Sequence, residues 1–178
     1  MSGEIGKYLI NYLIRKARRT PPNIIVLSGA RTARYPVAAR GFGWGLLVLT
    51  AAFGGLLTYK VPQHMRLGFA IGTSAFIAMV LAMVVDFTRV SLTWTDQCIV
   101  FTSPWRGTRT LRWEEVTEVR FAPVAGWFVV RTRDALTIRP AMMMGGLEEF
   151  FAELKTRGQP SLHSPIDTAL RLRAERCE

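Results

Sequence analysis

The sequence predicts a membrane α+β protein, in which a two-span transmembrane helical hairpin precedes an antiparallel β domain closed by a C-terminal helix. Three observations carry this expectation. Residues 41 to 59, GFGWGLLVLTAAFGGLLTY, run nineteen positions without a charge between Arg40 and Lys60. Residues 67 to 85, LGFAIGTSAFIAMVLAMVV, do the same between Arg66 and Asp86. After them the pattern changes to short alternating runs separated by turn residues, and then to one amphipathic helix.

Residues 1 to 40 read as a basic amphipathic arm and linker. In EIGKYLINYLIRKARR the apolar residues Ile5, Tyr8, Leu9, Tyr12 and Leu13 recur at helical spacing, among the cations Lys7, Arg15, Lys16, Arg18 and Arg19. Such a helix either lies on a membrane surface with its cations against head groups or docks on the protein's own soluble domain. Its apolar stretch is too short for a secretory signal, and Pro21 and Pro22 end it. The next residues, NIIVLSGARTARYPVAAR, hold a β-branched run and then a basic linker, and are able to add a strand to a sheet.

The hairpin occupies residues 41 to 87, with spans at 41–59 and 67–85. Nineteen helical residues reach roughly 29 Å, close to the ~30 Å hydrocarbon thickness of a bilayer. Trp44 and Tyr59 stand near the edges of the first span, and Arg40, Lys60, Arg66 and Arg89 stand where long cations reach head groups. A buried soluble helical pair is the alternative. Gly41, Gly45, Ala51 and Gly55 in the first span and Gly68, Gly72, Ala75 and Ala82 in the second have the spacing that lets two helices approach closely. Neither span contains an ionisable residue, which argues against a pump or transporter acting alone.

Charge sets the orientation. The net charge of +10 divides as +7 over residues 1–41, +2 over 60–66, −1 at Asp86 and +2 over 88–178. The excess lies beside the membrane, as expected for segments held at an anionic cytoplasmic leaflet. A nucleic-acid-binding domain would be basic on its folded part, so no nucleic-acid partner is expected. The arm outweighs the loop KVPQHMR, placing the protein in the cytoplasmic (inner) membrane as a multi-pass chain with both termini cytoplasmic. Cys98 and Cys177 make no metal or redox spacing, and reduced thiols suit that side.

Residues 88 to 157 form the β domain. VSLTWT, QCIVFTS, GTRTLRW, VTEVRF, GWFVVRT and ALTIRP are short strands joined by the turn signals TD, SPWRG, APVAG and RD, an antiparallel meander. In GGLEEFFAELKTRG, Leu147, Phe150, Phe151 and Leu154 make an i, i+3, i+4, i+7 stripe, and Gly158 ends the helix. Residues 158 to 178 form a tail. There Ser164, Pro165 and Asp167 signal a helix start, and Ile166, Ala169, Leu170 and Arg173 make a short stripe. The expectation is a weak helix behind a flexible linker at 158–160.

The order of these pieces, with RGTRTLRWEEVTEVRF before a Trp-Phe-β-branched strand and then TRDALTIRP, resembles the bacterial pleckstrin-homology-like domains of small membrane proteins. That resemblance implies a β-sandwich or barrel plugged at one end by its C-terminal helix, following a pair of spans. It implies binding rather than catalysis. Trp105, in a turn, and Arg106, Arg109 and Arg112, on the adjoining hairpin, are candidate lipid- or partner-binding residues, as are Lys7, Arg15, Lys16, Arg18 and Arg19. Cations beside an anionic surface contribute about 1 kcal/mol each. Alternatively the arginines, with Arg120, Arg131 and Arg133, form a solvated face paired with Glu114, Glu115, Glu118 and Asp134. Trp113 and Trp127 read as cross-strand anchors, and Met142 to Met144 as filling at the sheet's end.

No catalytic motif is present. His64 in the loop and His163 in the tail are far apart in sequence and expected on opposite sides of the membrane, and no Walker, dinucleotide or nucleophile-elbow pattern occurs, so no metal or cofactor is expected. The expected partners are the bilayer, including anionic phospholipid, and a protein partner or second copy. The chain reads as a non-enzymatic binding or assembly module. The alternatives are an accessory subunit of a larger membrane complex and a lipid-active enzyme.

Overall fold

The computed structural model describes Tyr12, the backbone of 23–25, and residues 29–175. The chain divides into two compact units, one of residues 37–89 and one of residues 1–36 with 90–178.

The helical unit is a pair, α1 (Val37–Lys60) and α2 (Gln63–Arg89). At 24 and 27 residues they are longer than the charge-free spans. The flanking residues Gln63 to Arg66 and Asp86 to Arg89 wind into α2, so only Val61 and Pro62 remain as the turn. Pro62 fits there because a helix's first turn has no acceptor for the missing N–H. Both helices are apolar and long enough to cross a membrane, and only 11% of the apolar window of each is buried.

The pair does not pack on the glycines that the spacing singled out. A Cβ on Gly43 would lie 3.2 Å from a Val84 methyl, and one on Gly54 would overlap the Thr73 methyl. Gly41, Gly45, Gly55, Gly68 and Gly72 instead face open space. Inside the pair, Thr58 and Thr88 return their hydroxyls to the helix carbonyls of Gly54 (2.8 Å) and Val84 (2.9 Å). That leaves these hydroxyls satisfied without water.

The β unit contains two antiparallel sheets among the described residues. The first has the order β1 (Asn23–Ile25), β2 (Ala30–Arg34), β3 (Ser91–Trp94), β4 (Cys98–Ser103) and β5 (Gly107–Arg112). The second is β6 (Val116–Ala122), β7 (Trp127–Thr132) and β8 (Thr137–Ile138). The continuous meander and closed barrel therefore give way to two open sheets. The break is the 3₁₀ turn Trp113–Glu115, where the Trp113 ring turns into the core and donates to Thr95 O at 3.0 Å. β8 stops at two residues because Pro140 follows shortly and has no N–H for a ladder.

Residues 30–34, from the expected linker, are an inner strand: Arg31 pairs with Trp94 and Arg34 with Ser91. The core lies between the sheets and α3 (Leu147–Arg157), whose Leu147, Phe150, Phe151 and Leu154 are all buried. Phe150 meets Trp94 and Trp113 at centroid distances of 5.5 and 5.9 Å, and Phe151 meets Phe128 at 4.6 Å. These are favourable offset or edge contacts, worth about 0.5–1.5 kcal/mol per pair beyond area burial. Met142 and Met144 are buried here too.

Residues 158–175 are not joined by a loose linker. A 3₁₀ turn, Pro160–Leu162, leads into α4 (His163–Glu175), which buries Ile166, Ala169 and Arg173 and packs on β6. Gly158 permits the turn, since a Cβ there would sit 2.5 Å from Leu154 O.

Candidate functional site

Each residue nominated from the sequence has a definite place, apart from Lys7, Arg15, Lys16, Arg18 and Arg19, which lie outside the described residues. Trp105 sits at the tip of the β4–β5 hairpin and is 62% exposed. Its N–H reaches Ser103 Oγ at 3.4 Å, and Gly107, at φ 70°, completes the turn. Arg106 is exposed beside it.

The other two arginines of that hairpin differ in their surroundings. Arg109 is half-buried and donates from Nη1 to Thr137 O at 2.8 Å, linking edge strand β5 to edge strand β8. Arg112 stands 3.9 Å from Glu115, whose carboxylate also accepts the Arg112 N–H at 3.0 Å. On the second sheet Glu118 lies 3.6 Å from Arg120 and 3.3 Å from Arg131. The structure thus gathers Trp105 and Arg106 into one exposed tip and turns Arg109 to a structural contact, while the Arg112 side chain stays largely exposed at the other end of its strand.

Of the other tryptophans, Trp113 is buried and Trp127 half-buried, with Arg139 Cζ 5.6 Å from the Trp127 ring. His163 Nε2 pairs with Lys155 O at 2.9 Å, and Lys155 also pairs with Asp167. Among the described residues no group of three His, Cys, Asp or Glu side chains is placed to hold a metal.

Two groupings escaped the sequence reading. Glu153 accepts from Arg31 Nη1 at 2.5 Å and from Arg157 Nε at 2.7 Å, and Arg157 continues to Asp96 Oδ1 at 2.5 Å. The network ties β2, α3 and the β3–β4 turn together. The hydrogen bond to Glu153 holds the Arg157 guanidinium above its ordinary range, against a smaller pull downward from desolvation; the charges of Glu153 and Asp96 add to the rise. Every cation of the set is matched by a carboxylate, so the network is structural.

The second is a groove of about 1080 Å³ within the helical unit, lined by residues including Leu49, Phe53, Phe69 and Phe76, with His64 and Thr73 as polar members. It runs from the turn residues Val61 and Pro62 to the close contact of Gly54 with Thr73, both of which line it. Sequence spacing alone gives no signal for it.

No family model, curated protein or solved structure matches this chain.

Proposed function

We propose that the chain is an integral membrane protein whose β unit is a non-catalytic binding or assembly module held at the cytoplasmic face of the membrane. The observation that carries this reading is the exposure of α1 and α2. Trp44, Val48, Leu49, Phe53, Leu56 and Tyr59 on one helix and Leu67, Ile71, Phe76, Met79 and Leu81 on the other present apolar surface outward. In water so long an apolar surface is unfavourable at about 25 cal/mol per Å². In a bilayer it is solvated.

Strand pairing supports the topology. β2 precedes the hairpin and β3 follows it, yet Arg34 pairs with Ser91 in one sheet. Two strands joined this way lie on the same side of a membrane, which requires an even number of crossings between them. The basic residues of the first 41 positions favour the cytoplasmic side. The two sheets with an aromatic-bearing helix packed on them support a pleckstrin-homology-like assignment for the β unit, with binding as its role. The outward glycines of α1, Gly41, Gly45 and Gly55, favour as a second reading an accessory subunit packed against another membrane protein.

Alkaline carbonate washing of vesicles tests the anchoring: the full chain stays with the lipid, and its release sinks the proposal. Mass spectrometry of the protein purified in mild detergent then separates the roles. Retained anionic lipid supports the surface module, a stoichiometric protein supports the subunit, and lipid turnover overturns both.

A further inference from the structure

The register of the first sheet defines which of its ends adjoins the helical segments in the chain. Arg34 pairs with Ser91, Ser91 with Thr102, and Thr102 with Thr108. Residues 36 and 90, where the chain passes to α1 and from α2, therefore leave from the end of the sheet that carries the β4–β5 tip, Pro104, Trp105 and Arg106.

The β6–β7 tip lies at the same end. Val116 pairs with Thr132, and Arg133 N–H donates to Glu115 O at 3.0 Å, placing the C-terminal end of β7 beside the 3₁₀ turn that follows Arg112, at the opposite end of the first sheet. Six residues of β7 then carry the chain about 20 Å away from that turn. Gly126 O accepts from Met142 N at 2.9 Å, and three residues later Gly145 N donates to Arg34 O at 2.9 Å. Three residues span at most about 11 Å, so Gly126 is held near Arg34.

The two ends differ in chemistry. At the end with the chain crossings the turns are Pro104-Trp105-Arg106 and Pro123-Val124-Ala125, every one of these residues exposed. Trp105 is 62% and Val124 96% exposed, and Arg34 and Arg106 are exposed cations of the same end. Among the described residues, the far-end turns carry Asp96 and Gln97, and Arg133 and Asp134, with Leu136 at 40% as an exposed large apolar residue there. Hairpin turns are normally polar, so two apolar tips at one end, unlike the described turns of the other, make a surface suited to a partner. Aromatic rings flanked by arginine are the composition that settles at the level of lipid head groups.

We propose that the Trp105 and Val124 tips insert side by side into the head-group layer of an anionic bilayer, with Arg106 and Arg34 against lipid phosphates. This rests on the membrane anchoring proposed above and adds the contact surface. The β unit is then docked on the lipid rather than swinging on its two connections.

The test uses the full chain with Cys98→Ser and Cys177→Ser, reconstituted in vesicles of phosphatidylcholine and phosphatidylglycerol. An environment-sensitive fluorophore is attached in turn at Trp105→Cys, Val124→Cys, Gln97→Cys and, as a reporter of the helical unit, Phe53→Cys. Doxyl lipids labelled near the head group quench positions 105 and 124 at least about twofold more than position 97, and removing phosphatidylglycerol weakens the difference. If 53 is quenched by deep doxyl lipid while 105 and 124 behave like 97, the anchoring stands and the insertion is overturned. If 53 is not quenched either, the anchoring fails and the insertion with it. Emission shifted to the blue at 105 and 124 without lipid quenching marks a protein contact, and also overturns the proposal.

Discussion

The Arg173 guanidinium, 1% exposed on α4, donates from Nη2 to the carbonyl oxygen of Met142 at 2.8 Å. Phe128 lies beneath it, 6.0 Å from Cζ to the ring centroid, and Glu148 Oε1 stands 3.8 Å from Nη1. One side chain thus holds α4 against the segment between β8 and α3. Arg173→Ala leaves the Met142 carbonyl buried without this donor. A hydrogen bond from a charged group contributes about 1.5–3 kcal/mol, and a loss of that size is expected for the β unit. Thermal unfolding of the full chain in mild detergent measures it, and an unchanged midpoint would contradict the assignment.

Neighbouring glycines of α1 are expected to behave oppositely. Gly54→Ala drives a methyl into Thr73 and costs about 1–3 kcal/mol of hairpin packing. Gly55→Ala, facing open space, changes stability by less than about 0.5 kcal/mol. Cross-linking yield between cysteines placed on α1 and α2, in detergent, reports the difference.

Ala135 adopts φ 60° in the turn between β7 and β8, a left-handed conformation that disfavours any Cβ. Ala135→Gly relieves the strain, less the greater entropy glycine loses on folding. The expected gain is about 0.5–1 kcal/mol, read as a raised melting temperature of the β unit.

Glu153→Gln removes the carboxylate shared by Arg31 and Arg157. Because these groups are partly exposed, the destabilisation is expected to be modest and to shrink as salt is added. Arg157 titrates higher when folded than unfolded, so its contribution is fully present below the unfolded arginine value and is lost only as pH rises through the folded one. A melting curve across neutral pH therefore shows no slope from Arg157. A neutral-pH transition abolished by this substitution would refute that.

The helices were legible because a charge-free run of nineteen residues has few other physical explanations, and α3 because four large apolar residues kept helical spacing. Which glycines pack was not legible. Gly41, Gly45 and Gly55 satisfy the spacing rule as well as Gly43 and Gly54 do, and only the side chains of Val84 and Thr73 on the partner decide the face. The docking of α4 was hidden by Arg173, a cation within the buried stripe that makes sense only beside the Met142 carbonyl. The division into two sheets was hidden as well, because Trp113-Glu114-Glu115 has the length of an ordinary hairpin loop. Trp105 and Arg106, neighbours in a turn of Pro and Gly, are exposed as turn residues are, whereas Arg109 is bound to a strand that sequence distance does not reveal.

The pairing of β2 with β3 also bears on how the protein is made. β2 leaves the ribosome well before its partner, since 56 residues separate Arg34 from Ser91. At ordinary synthesis rates that is a wait of about 3–11 s, during which one long edge of the nascent strand has no neighbour. Its sheet is completed only after the intervening hairpin has been delivered. On the proposed anchoring, faulty insertion therefore shows as a β unit that never closes and is cleared by proteolysis.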